Sequence, residues 1–103
     1  MTPEDLNRYK LYLKVDGNAE DALLEEFVTA TKLYLKGVTG KTKVLIDAVE
    51  QDIETDTLWI LTVKKIIARW YTHRGDNLPQ TVAKEDASIE MLINHIAMRG
   101  DYV

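Results

Sequence analysis

Two histidines, a G-K-T tripeptide and several groups of carboxylates are the residues in this chain with chemistry to offer. Neither His73 nor His95 has a second histidine or a carboxylate at a ligand spacing such as H-E-x-x-H, so capping or partial exposure suits them better than metal binding or base catalysis. Gly40-Lys41-Thr42 closes the stretch Lys36-Gly37-Val38-Thr39-Gly40-Lys41-Thr42, but its first glycine lies three residues before Gly40. A phosphate-binding loop needs five, and it follows a strand and opens a helix, whereas this stretch follows a helical pattern. Glu25-Glu26 and the acids from Asp47 to Asp56 could work as acid–base pairs only inside a cleft. No apolar pocket signature is present to raise their pKa values. The reading is not an enzyme: no catalytic residue, no cofactor, no metal.

The elements that would position any site are helical. Asp56 to Gly75 is the organising stretch, with Trp59, Val63, Ile66 and Trp70 at three- and four-residue steps and Ile60, Ile67 and Tyr71 in a row beside them. That spacing predicts a helix over about 56–74 with one broad apolar face. Asp56 or Thr57 suits its start, His73 and Arg74 its negative end, and Gly75 its stop. Both tryptophans of the chain lie here, so Trp59, Val63, Ile66, Trp70 and Tyr71 are the expected core. The fold class expected is all-α, a small bundle of four to five helices around this central strut.

Thr2-Pro3-Glu4-Asp5 opens a first helix to about Lys14, with Leu6, Tyr9 and Leu13 on one face. Asn18 is the expected cap of a second, from about Ala19 to Lys36, whose apolar set is Leu23, Leu24, Phe27, Val28, Ala30, Leu33, Tyr34 and Leu35. Over 41–55 a short helix is expected, although Lys43-Val44-Leu45-Ile46-Asp47-Ala48-Val49 would also pass as a strand. Asp76-Asn77-Leu78-Pro79 reads as a turn, and Glu85-Asp86-Ala87-Ser88 opens a last helix that Gly100 stops. Ile89, Leu92, Ile93 and Ile96 face inward on it.

With 103 residues and 46% apolar content, one domain is expected, spanning 1–99 with a short tail at 100–103. The absence of cysteine excludes disulfides and thiolate metal sites. Met1 leads straight into a capped polar helix rather than a signal peptide, and no apolar run approaches the roughly 20 residues of a membrane span. The formal net charge of −4 argues against gripping a phosphate backbone. Charge is unevenly spread, however: Lys32, Lys36, Lys41 and Lys43 precede Asp47, Glu50, Asp52, Glu54 and Asp56 with no base between these acids. Solvated faces are one reading of this pattern, and complementary patches on successive subunits are the other.

Three stretches carry a family resemblance. Lys10-Leu11-Tyr12-Leu13-Lys14-Val15-Asp16 precedes Asp21-Ala22-Leu23-Leu24-Glu25-Glu26-Phe27, a helix that closes at Val38-Thr39-Gly40. Later come Ala68-Arg69-Trp70-Tyr71-Thr72-His73-Arg74 and Leu78-Pro79. Their order resembles the small head–tail connector proteins of tailed bacteriophages, also labelled DNA-packaging proteins. Thr81 to Ser88 departs from the pattern in being longer and more polar.

The resemblance implies a structural subunit of the virion, assembled in the host cytoplasm as a dodecameric ring beneath the portal protein at the head–tail junction. Such a ring extends the DNA channel and docks the next head-completion or stopper protein, with DNA only as transiting cargo and no membrane or cofactor. Lys32, Lys36, Lys41 and Lys43 would then meet Asp47, Glu50, Asp52 and Glu54 across the subunit interface. By analogy the segment from Ile89 to Val103 reaches toward the portal, with Met91, Ile96, Met98 and Tyr102 as apolar anchors. The alternative is a small DNA-binding helical module, a packaging or regulatory subunit, whose binding would fall steeply with salt.

Overall fold

Thr2 starts the chain as expected: its hydroxyl oxygen accepts from the Asp5 N–H at 3.2 Å, and Pro3 occupies the first position of α1, Pro3–Leu13. The computed structural model describes residues 2–15, 17–72, 79–84 and 86–103. Helix α1 ends on Lys14 in left-handed backbone (φ 60°), with the Val15 N–H returning to the Lys10 carbonyl at 3.0 Å. Tyr9 is buried, and Leu6 and Leu13 pack against the core beside it.

Helix α2 spans Asp21–Thr39, starting later and running further than expected. Asn18 does not cap it, because its side-chain oxygen accepts from Lys10 Nζ at 2.9 Å. The same ammonium pairs with Asp21 at 2.8 Å and so ties the end of α1 to the start of α2. Leu24, Phe27, Val28 and Leu35 are buried, whereas Leu23, Ala30 and Leu33 face outward. Gly40 ends the helix at φ 69°.

The segment 41–55 is not a helix. It forms an antiparallel hairpin of β1, Lys43–Ile46, and β2, Val49–Asp52, followed by a 3-10 turn over Ile53–Thr55. The reason lies outside the segment. The far edge of β1 is taken by the chain end: Thr42 and Lys43 N–H donate to the Val103 carbonyl, Val103 N–H donates to Lys43, and Leu45 N–H to Asp101. A four-residue strand bonded on both edges outcompetes one short helical turn. Val44 and Ile53 are buried and pin the hairpin to the core.

Asp56 then caps α3, Thr57–Thr72, with its Oδ2 accepting from the Trp59 N–H at 3.0 Å. Trp59, Val63, Ile66 and Ile67 are fully buried, Trp70 nearly so, and Tyr71 is half-buried against the same core. Phe27 stacks on Trp70 with ring centroids 4.2 Å apart, which locks α2 onto α3. The expected roles of His73, Arg74, Gly75 and the turn at 76–78 lie outside the described residues.

Pro79 opens a short helix α4, Pro79–Lys84, whose Val82 and Ala83 are buried. Proline suits a first helical position because its missing N–H has no partner there anyway. Asp86 caps α5, Ala87–Met98, accepting from Ser88 N–H at 2.9 Å and Ile89 N–H at 3.4 Å. Ile89, Ile93 and Ile96 are buried and Leu92 half-buried; Arg99, extended at ψ 139°, ends the helix just before Gly100. The result is the expected helical bundle around α3, with a small hairpin added on one side.

Candidate functional site

A cleft of about 460 Å³ is lined by Asp5 and Arg8 of α1, Lys32 and Lys36 of α2, and Glu54 of the 3-10 turn, among others. Lys32 Nζ pairs with the Asp5 carboxylate at 2.5 Å and with Glu54 at 2.8 Å, while Lys36 takes the other Glu54 oxygen at 2.8 Å. Burial alone would lower the Lys32 pKa, but its hydrogen bonds to Asp5 and Glu54 outweigh this and raise it. Burial likewise pushes Glu54 up, and the two lysines overturn that and hold its carboxyl below the usual range. Lys32 also lies 5.7 Å from the centroid of the buried Tyr9 ring. The cleft is therefore a seam of ion pairs joining three elements.

This seam redistributes the expected interface residues. Lys32, Lys36 and Glu54 meet one another inside one subunit. Lys41, Lys43, Asp47, Glu50 and Asp52 lie on or beside the hairpin, where Lys43 stands opposite Asp52 and Asp52 also caps the Glu54 N–H at 2.9 Å. Asp47 and Glu50 are exposed and have no cationic partner among the described residues.

The C-terminal segment divides in the same way. Met91 and Met98 are 71% and 85% exposed, as outward anchors would be. Ile96 and Tyr102 are not outward: Tyr102 is 2% exposed, its hydroxyl donates to Asp56 Oδ2 at 2.6 Å, and Arg99 lies against its ring. Burial, and then the Asp56 carboxylate, push the Tyr102 hydroxyl well up from its ordinary value. Tyr102 thus joins the chain end to the cap of the central helix. Sequence reasoning had no signal for this, because the partners stand 46 residues apart.

His95 is exposed, and its Nε2 lies 3.3 Å from Arg99 Nη1, whose guanidinium pairs with Asp101. His73 is outside the described residues, among which no group of three or more His, Cys, Asp or Glu could hold a metal ion. Gly40 leads from α2 into β1, the reverse of the strand-to-helix order that a phosphate loop requires. No helix among the described residues is long and apolar enough to cross a membrane.

The molecule is thus a small helical bundle whose polar cleft is filled by its own ion pairs, with Asp47, Glu50, Met91 and Met98 exposed on its outer surface. The chain belongs to the phage gp6-like head-tail connector protein family, whose sequence profile matches residues 3–97. No curated protein and no solved structure matches the chain significantly. It is accordingly a structural protein of the bacteriophage head–tail junction.

Proposed function

We propose that copies of this chain close into a ring beneath the portal protein, dodecameric in the virion, which extends the DNA channel and receives the next head-completion or stopper protein. The observation that carries this reading is the family match over nearly the whole chain. Surface chemistry supports it. A closed ring needs two different patches that meet head to tail. The net charge of −4 suits a wall past which DNA slides, since carboxylates gain nothing from counterion release. The exposed Met98 is the remaining candidate for contact with the portal.

Mass measurement of the purified chain over a concentration range, alone and with portal protein, tests the proposal. Rings, or portal-bound oligomers of one fixed size, are expected. A chain that stays monomeric even beside the portal refutes the reading. Retention of duplex DNA with a steep salt dependence would instead favour the DNA-binding module.

A further inference from the structure

Two surfaces of the subunit carry chemistry that the subunit itself does not answer. One is the tip of the hairpin. Ile46 and Val49 face each other across its turn and are 47% and 55% exposed, although Val44, on the same face of β1, is buried. The apolar stripe therefore begins in the core and continues into solvent. Asp47 and Ala48 both have left-handed backbone, φ 53° and 65°, which closes the hairpin as a tight two-residue turn. The tip is thus a narrow projection with Ile46 and Val49 on one face, the unpaired acid Asp47 in its turn and the unpaired Glu50 on the other face.

The other surface is a groove of about 410 Å³ between α3 and α5, lined by Leu58, Lys65, Ser88, Met91, Leu92 and His95. Its walls are mostly apolar, and Met91 adds an adaptable thioether chain that moulds to what it meets. Lys65 on its rim has no acidic partner among the described residues. Of the acids beside the groove, Glu90 acts on Tyr34, and Asp86, which accepts from the groove residue Ser88, pairs with Arg69 at 3.7 Å. Lys65 is therefore the charge the groove leaves unpaired, where the tip leaves acids unpaired.

We infer that the hairpin tip of one copy seats Ile46 and Val49 in the α3–α5 groove of the next copy, with Asp47 and Glu50 meeting Lys65. The inference rests on the ring reading and names the two faces of its interface. An apolar projection meets an apolar hollow, and unpaired acids meet an unpaired base. Every copy carries both surfaces, and because they differ the contact is head-to-tail, the kind that closes a ring. Removing the open hairpin tip from water also hides exposed strand and apolar groups that would otherwise invite aggregation.

The absence of cysteine makes the test direct. Val49→Cys chain mixed with Met91→Cys chain under mild oxidation should give a disulfide-linked heterodimer, since bridging needs Cα atoms within about 7 Å. Val49→Cys mixed with Leu33→Cys, on the outward side of α2, should not. Independently, Glu50→Lys with Asp47→Asn, which keeps the left-handed position, should raise the midpoint concentration of assembly about fivefold. Lys65→Glu should do the same, and the two together should restore assembly.

Selective cross-linking with charge rescue supports the inference. Assembly of the unmodified chain with neither effect overturns it and leaves the ring standing on other faces. A chain that never associates, even beside the portal protein, overturns both.

Discussion

Replacing Tyr102 by phenylalanine isolates one hydrogen bond on which the chain end depends. The hydroxyl lies 2.6 Å from Asp56 Oδ2, and the same carboxylate oxygen accepts from the Trp59 N–H. A bond to a charged acceptor contributes roughly 1.5–3 kcal/mol. Asp56 is half-buried, so water can replace part of what is lost, and the low end applies: about 1.5 kcal/mol. For a domain of this size that lowers Tm by about 6–8 °C. Tyr102→Ala also removes a buried aromatic ring and should cost about 3–5 kcal/mol. Urea unfolding followed by tryptophan fluorescence reads both, because Trp59 and Trp70 are buried in the core. If both variants unfold within about 0.5 kcal/mol of the parent, the chain end is not docked and the argument that it holds β1 as a strand fails. A docked Tyr102 also predicts that portal binding by Tyr102→Phe matches the parent wherever both are folded.

Other outcomes follow from the same reasoning. Thr31 is fully buried with its hydroxyl unpartnered, so the near-isosteric Thr31→Val should stabilise by about 1 kcal/mol, read as a higher urea midpoint. Ala48 stands at φ 65°, a conformation costing roughly 1 kcal/mol for a residue with a Cβ. Ala48→Gly removes this while adding freedom to the unfolded chain, and should stabilise by a net of about 0.5 kcal/mol. Tyr9 is pushed up from 10.0 to about 12, chiefly by burial. Its neutral form therefore contributes stability that is complete below the ordinary phenol value and is lost as pH rises toward the folded one. Urea midpoints should fall between pH 10 and 12, and Tyr9→Phe should flatten part of that fall. Glu54 runs the other way: its contribution is present above the ordinary carboxylate value and fades as pH drops below it, which Glu54→Gln should abolish.

Charge reversal at Glu54, one of the expected interface residues, would confound folding with assembly. Glu54 bridges Lys32 and Lys36 within one subunit, so reversing it weakens the fold before it can report on assembly. Glu50 and Lys65 report on assembly more cleanly, since neither has an ion-pair partner within the subunit among the described residues.

Much of this protein could be read along the chain because the physics is local. Thr2 and Pro3 set the start of α1, and Asp56 caps α3. The three- and four-residue steps from Trp59 to Trp70 dictate which face of α3 is buried, whatever packs on it. The order of short motifs was likewise enough to suggest the family. Tertiary structure decided the rest. Whether 43–49 became strand or helix depended on Val103 arriving at its edge, and the Asp47-Ala48 turn hides its left-handed backbone behind residues that do not announce it. Which charges remained for a neighbour depended on Lys32 and Lys36 finding Glu54 first. Spacing along a helix is set by bonds between near neighbours. The pairing of a strand edge or of a buried charge is settled only when distant parts of the chain are brought within a few ångströms.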